Sequence, residues 1–317
     1  MSNGECKSNI VENIVQCCRI GGVKEDMFTG SMVALVTPMD NTGAIDWKRL
    51  NTLVEHHIQE GTDAIISVGT TGESATLSHD EHIEVIARTV DYVSERVPVI
   101  GGTGSNSTDE TIFLTKKAVD VGVSGCLIVV PYYNKPPQEG LYKHFRTVAE
   151  SVMIPQILYN VPGRTGVDLT NETALKLAEI DNIIGIKDAT NDLDRGADLI
   201  QRSQPDFFVY SGEDGTCCQL MLAGAKGTIS VTANVAPNLM HKMCSAAVSG
   251  DHATALKYDE KLSELHSALF VESNPIPTKW AVAQQGHIMN NIRLPLVPLN
   301  SLYFDEVRSA MVKADAL

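Results

Sequence analysis

Lys187 closes a short apolar run, Ile183-Ile184-Gly185-Ile186-Lys187-Asp188. An ammonium at the inner end of a buried strand is costly unless it sheds its proton, and a desolvated neutral lysine is the amine that attacks a keto-acid carbonyl to form a Schiff base. Taken alone, the residue also reads as a lysine snorkelling off a strand end into water. Other polar residues sit at comparable places: Thr70 and Thr71 in Gly69-Thr70-Thr71-Gly72-Glu73-Ser74, Tyr132 and Tyr133, Tyr159 ahead of Asn160-Val161-Pro162-Gly163-Arg164-Thr165-Gly166, and Gly212. Their types suit one chemistry. A lysine amine attacks a ketone, a tyrosine hydroxyl shuttles the carbinolamine proton, and threonine hydroxyls with flanking N–H groups hold a carboxylate. The glycines beside Thr70 and Thr71 let the main chain approach a small anion. Arg164 offers a planar fork for a second carboxylate, which implies two acidic substrates. Each piece has a plainer reading: a Gly-Thr-Thr-Gly turn, a packed core tyrosine, a solvated loop arginine.

Positioning such a ring requires strand ends that converge. Eight short apolar runs, at 33–37, 64–68, 98–101, 125–130, 156–159, 183–187, 207–210 and 227–231, alternate with helical patterns. Continuous apolar runs indicate parallel strands covered on both faces, and the spacing fits strand–loop–helix units. Asp46 precedes Leu50, Leu53, Val54 and Ile58 at helical period, with Gly61 as the stop, while Ser78 with Glu81 and Ser107 with Glu110 each fit a capping box. The fold expected is a (β/α)8 barrel over residues 27–250 with an appended helical region over 251–317, where Leu256, Leu262, Leu265 and Leu269 recur and Pro277 fits a first helical turn. An open doubly wound sheet is the alternative, but no glycine-rich nucleotide fingerprint follows any strand. Residues 1–26 form an extension, with Ile10, Val11, Ile14, Val15 and Cys18 at helical spacing, that is expected to be a short amphipathic helix, a frayed tail or the product of a start upstream of Met27, and receives no function.

The 317 residues carry a formal net charge of -14, with 43% hydrophobic and 20% charged residues. That composition is ordinary for a soluble globular chain, and the acidic balance disfavours nucleic acid or an anionic membrane surface as partner. Seven cysteines without C-x-x-C spacing suggest reduced thiols and no zinc ribbon. His79 and His82 lie beside acidic residues but lack the H-E-x-x-H spacing, so they are expected to be solvent-exposed histidines of a capping turn, and no metal or cofactor is called for. Asp188 should point away from Lys187, outside the barrel. No apolar run is long enough to cross a bilayer, and a cytoplasmic protein is expected.

Val68-Gly69-Thr70-Thr71-Gly72-Glu73-Ser74, Pro131-Tyr132-Tyr133-Asn134-Lys135-Pro136, Tyr159-Asn160-Val161-Pro162 and Gly185-Ile186-Lys187 together closely resemble the dihydrodipicolinate (4-hydroxy-tetrahydrodipicolinate) synthase family of pyruvate-dependent class I aldolases, from about Met27 to the C-terminus. The resemblance implies condensation of pyruvate with L-aspartate 4-semialdehyde, on the route to diaminopimelate and lysine. Lys187 would form the Schiff base, and Tyr159, Thr70 and Tyr133 the proton relay, with Tyr133 reaching in from a neighbouring subunit of a homotetramer. Thr71, the backbone of Ile229 and Gly212 would bind pyruvate, and Arg164 the semialdehyde carboxylate. Ser74, Ala75, His79, His82, Asn106, Glu110 and Tyr132 match the family's lysine-inhibited members, which implies feedback by L-lysine. Gly163 departs from the serine common before the arginine. N-acetylneuraminate lyases and 2-keto-3-deoxy-sugar aldolases share the lysine, tyrosine and threonine loop and are the rivals; a non-catalytic sensor of pyruvate or lysine is the rival from another class.

Overall fold

A computed structural model describes residues 28–317 of the chain, so the expected helix or tail at 1–26 lies outside the described residues. Eight parallel strands close on themselves in chain order: β1 (Gly30–Ala34), β2 (Ala64–Ser67), β3 (Val99–Gly102), β4 (Gly125–Val129), β5 (Gln156–Asn160), β6 (Ile183–Asp188), β7 (Phe208–Ser211) and β8 (Gly227–Ser230). β8 returns to β1 with Met32 opposite Ile229. The expected barrel is therefore present, with strand bounds shifted by a residue or so except at β1. The apolar run at 33–37 overshoots that strand because its upper half leaves the ladder while staying buried: Asn234 Oδ1 accepts the Val36 N–H at 2.9 Å. Burial alone makes a sequence apolar, whether or not its backbone pairs with a strand.

Alternate strand residues divide between two cores. Met32, Ile66, Ile100, Leu127, Ile157 and Ile229 fill the barrel, whereas Val33, Ile65, Ile128, Leu158, Ile186 and Val209 pack outward against helices. An irregularity in the β5–β6 register opposes Gln156 to Ile183 but Ile157 to Gly185. From there Lys187 pairs with Tyr159, so it shares the inward face of Ile157 and Tyr159 while Asp188 turns outward with Asn160. Asp188 is buried there, accepting from Thr190 at 2.7 Å, with the Arg195 guanidinium 3.8 Å away.

The helices are α1 (Trp47–Gln59), α2 (His79–Val93), α3 (Thr108–Asp120), α4 (Gln138–Ser151), the short α5 (Pro162–Thr165), α6 (Asn171–Leu177), α7 (Leu193–Arg202), α8 (Cys217–Leu222) and α9 (Pro237–Val248), followed by α10 (His252–Ala268), α11 (Ile276–Gln284) and α12 (Phe304–Lys313). Asp46 caps α1, and Gly61 beyond its end takes φ +87. The Ser78–Glu81 capping box of α2 is complete. Its expected counterpart at α3 is only half made. Ser107 accepts from the Glu110 N–H, but the Glu110 carboxylate turns instead to the Ser105 hydroxyl, at 2.6 Å, and to His79. The C-terminal helices pack on the barrel through α9 and α10, Trp280 stacks on Phe304 at 4.9 Å, and α11 leans over the rim that carries Thr70 and Lys187.

Candidate active site

Lys187 and Tyr159 meet at the C-terminal rim of the barrel, where the lysine Nζ lies 4.2 Å from the tyrosine ring centroid. Both are buried. Desolvation pulls the lysine down to about 8; Asp214 and Glu213 oppose that pull, and the Arg164 cation adds to it. Burial pushes the Tyr159 phenol up to about 12, moderated by Arg164 and by a hydrogen bond with the Thr70 hydroxyl. At neutral pH the rim therefore holds an amine with an accessible neutral form beside a phenol that keeps its proton. Gly212 makes room for the lysine: a Cβ there would stand 2.9 Å from Lys187 Cε and 2.8 Å from Ala189 Cβ. The cavity around these groups is about 80 Å³ and also touches Gly69, Thr71 and Asn274.

The loop carrying Thr70 and Thr71 is held from both sides. Val68 at φ 58 and Glu73 at φ 60 bracket it in the left-handed region, a costly conformation for a β-branched residue that surrounding contacts must impose. Gly72 is required by packing, since a Cβ would meet Val68 Cα at 3.0 Å and the Leu35 carbonyl at 3.2 Å. The Glu73 carboxylate is buried, paired with Lys279 of α11, and accepts the Arg293 N–H at 3.0 Å. Lys279 also donates to the Thr37 carbonyl at 2.9 Å. Asn274 connects the two halves of the mouth: its side-chain amide donates to Thr71 Oγ1 at 2.9 Å, and its carbonyl accepts from Arg164 at 3.1 Å.

A second cavity of about 560 Å³ adjoins the first and shares Thr70, Arg164 and Asn274 with it. Its far wall includes Ser74, Ala75, His79, His82, Glu110 and Tyr132. His79 Nε2 lies 2.7 Å from Glu110, and the Ser105 hydroxyl together with His79 holds the Glu110 carboxyl below its ordinary value. A separate cleft of about 660 Å³, where His56 and His287 stack at 4.1 Å, contains none of these groups.

The profile of the Dihydrodipicolinate synthetase family matches residues 27–314. The chain belongs to that family. It is 57% identical over 291 residues to the 4-hydroxy-tetrahydrodipicolinate synthase of Stutzerimonas stutzeri (strain A1501), covering 92% of this chain and all of that one. The corresponding enzyme of Thioalkalivibrio sulfidiphilus (strain HL-EbGR7) is 58% identical over 288 residues, 91% of this chain and 98% of its own. Among solved structures, the chloride-inhibited dihydrodipicolinate synthase of Acinetobacter baumannii complexed with pyruvate superposes with a TM-score of 0.91 at 53% identity, over 92% of this chain and all of that one. The enzyme of Cyanidioschyzon merolae with lysine bound gives 0.89 at 40% identity, over 92% and 99%. As a member of the dihydrodipicolinate synthetase family the chain is an enzyme, a lyase of lysine and diaminopimelate biosynthesis.

Against this family background, the structure brings together some of the residues singled out in the sequence and not others. Lys187, Tyr159, Thr70, Thr71, Arg164 and Gly212 line one cavity. Tyr133 and Ile229 do not. Tyr133 is 89% exposed at φ 72, turned away from its own chain's cavity, and the Ile229 side chain is packed inside the barrel. Asn106 is absent from the second cavity's wall, and its carbonyl accepts from Asn134 at 2.9 Å. His82 corrects an expectation: it is buried, not solvent-exposed, and its Nε2–H donates to the Gly102 carbonyl at 2.7 Å, with burial lowering its pKa. The signal was present in the sequence, because His82 falls on the helical stripe of Val85, Ile86, Thr89 and Val93. Glu73, Asn274, Lys279 and Glu213 had no such signal.

Proposed function

We propose that the chain condenses pyruvate with L-aspartate 4-semialdehyde through a Lys187 Schiff base, giving 4-hydroxy-tetrahydrodipicolinate. The neutral amine adds to the pyruvate ketone, and the carbinolamine loses water to form the imine. Loss of a methyl proton gives the enamine, whose carbon attacks the semialdehyde aldehyde, and the new alkoxide takes a proton. The semialdehyde's own amine then displaces Lys187 from the imine carbon, so one water is released overall and the lysine is regenerated. Tyr159 with Thr70 moves the protons, Thr71 binds the pyruvate carboxylate, and Arg164 meets the second carboxylate at the mouth.

The observation that carries this reading is a buried lysine, depressed to about 8, against a protonated tyrosine in one small cavity. Borohydride reduction with pyruvate should add one reduced pyruvate to the peptide containing Lys187, and an unmodified peptide would sink the mechanism. Arg164→Ala should weaken semialdehyde use while imine formation persists, which separates this reading from the sugar-acid aldolases.

Inhibition by L-lysine at the second cavity belongs to the same proposal. Acidic Glu110 offers a partner for an ammonium, and the walls shared with the first cavity give a route for coupling. A homotetramer, built as a dimer of dimers, would let a partner's copy of the exposed Tyr133 complete the relay. A cytoplasmic location fits an enzyme of amino-acid biosynthesis, and among the described residues no helix is long and apolar enough to cross a membrane.

A further inference from the structure

On the outside of the barrel, behind the segment that carries Glu213, three side chains of different chemistry converge. Cys217 opens α8, while Asp259 and His266 stand two turns apart on one face of α10. A sulfur, a carboxylate oxygen and an imidazole nitrogen from these residues all lie within 4.8 Å of one another. Cys217 is fully buried and His266 is 4% exposed.

His266 Nδ1 is engaged with Thr232 Oγ1 at 2.9 Å, yet among the described residues its Nε2 has no hydrogen-bond partner, and neither has Asp259 Oδ1. These two atoms are 3.8 Å apart. That is too long for a hydrogen bond. It is close to the ~3.4 Å that separates two ligand atoms each ~2.1 Å from a tetrahedral ion. In the tautomer that donates Nδ1–H to the Thr232 hydroxyl, Nε2 presents a lone pair, the arrangement that orients metal-bound imidazoles. Asp214, three residues before Cys217, anchors the Val231 and Thr232 N–H groups through Oδ2 at 2.9 and 2.8 Å and keeps Oδ1 unpartnered. The Gln219 side-chain amide reaches the other Asp259 oxygen, Oδ2, at 3.5 Å and leaves Oδ1 to the site.

We propose that Cys217, Asp259 and His266 form a structural site for a divalent cation of borderline softness, best matched by Zn²⁺. One thiolate, one imidazole and one carboxylate is a donor set suited to that ion and unsuited to Mg²⁺ or Ca²⁺, which require oxygen. The ion would tie α10 to the start of α8 behind the catalytic cavity, and the thiol proton would leave to solvent on binding. The competing account is an Asp259–His266 pair with an uninvolved thiol.

The test uses the full-length chain carrying Cys6→Ser, Cys17→Ser and Cys18→Ser, which removes thiols outside the described residues. After chelator treatment it is titrated with Co²⁺ as an optical reporter and then with Zn²⁺. One equivalent of Co²⁺ should give a thiolate-to-cobalt charge-transfer band that Zn²⁺ displaces, and Zn²⁺ should raise the melting temperature. Cys217→Ser should abolish the band, Cys218→Ser should keep it, and Asp259→Asn, whose side chain reaches toward solvent, should weaken binding by at least ~10-fold. No band in the parent, or one that survives Cys217→Ser, overturns the site. Should Cys217→Ser fail to fold, unweakened binding by Asp259→Asn does the same.

Discussion

Formation of the pyruvate imine should titrate with a midpoint near 8, the value of the buried Lys187 amine, and not near the 10.5 of an ordinary lysine. The difference is large in rate. At pH 7 a pKa of about 8 leaves ~10% of the chains with a neutral amine, whereas 10.5 would leave ~0.03%, a ratio on the order of 300 or ~3 kcal/mol. Trapping the imine with cyanoborohydride from pH 6 to 10, and following the mass of the Lys187 peptide over the first seconds to minutes, reads that midpoint directly. Two neighbours act with opposite sign and provide the control. Arg164→Met removes a cation that holds the pKa down, so the midpoint should rise; Glu213→Gln removes an anion that holds it up, so the midpoint should fall. A midpoint that stays near 10.5, or that moves the same way in both variants, refutes the burial-and-field account. Stability follows with its own sign. Between about pH 8 and 10.5 the unfolded chain keeps a proton that folded Lys187 has lost, so this group's contribution rises as pH climbs through that window, and below it the folded chain carries a buried cation. Lys187→Met should therefore melt higher than the parent at pH 7 while forming no adduct.

Removing one partner of the buried Glu73–Lys279 pair should be severe: Lys279→Met is expected to cost ~3–5 kcal/mol in denaturant unfolding, with part of it recovered in the Lys279→Met/Glu73→Gln double variant. Full additivity of the two single changes would show that the pair is not coupled. Gly163→Ser should be tolerated, because a Cβ there meets nothing within 4 Å in a short helical turn; a gain of up to ~0.5 kcal/mol in stability and unchanged turnover are the expected readings, and a loss of activity would assign the glycine a role. Glu110→Gln should raise the L-lysine concentration needed for half-inhibition by ~10-fold, about 1.4 kcal/mol for a lost charged contact, while uninhibited turnover stays near the parent's. Equal inhibition of variant and parent would move the effector elsewhere.

The barrel was legible because parallel strands buried on both faces are written as continuous apolar runs that alternate with helical patterns, the first of them with side-chain caps at Asp46 and Ser78. Lys187, Tyr159 and the threonine loop were legible for a related reason, since a polar residue at the end of such a run stands out against it. What escaped was the support. Asn274 meets Thr71 across 203 residues, and Lys279 meets Glu73 across 206. No local pattern encodes a pair that distant. At β1 the misjudged limit has another cause, since Val36 and Thr37 are as buried as strand residues although the strand ends before them and the Val36 N–H goes to Asn234.

The clasp of Asn274 and Lys279 over the threonine loop also sets an order in time. A ribosome that has just made Thr71 and Glu73 must add more than 200 further residues before their partners exist. At ~5–20 residues per second that is a wait on the order of 10–40 s. During synthesis, strands and helices can accumulate from the N-terminal side, but the threonine loop stays without its clamp until the last helices emerge. A nascent chain that has not reached Asn274 therefore carries Lys187, Tyr159 and the threonine loop without the contacts that hold that loop, and the rim is complete only once the C-terminal region packs over it.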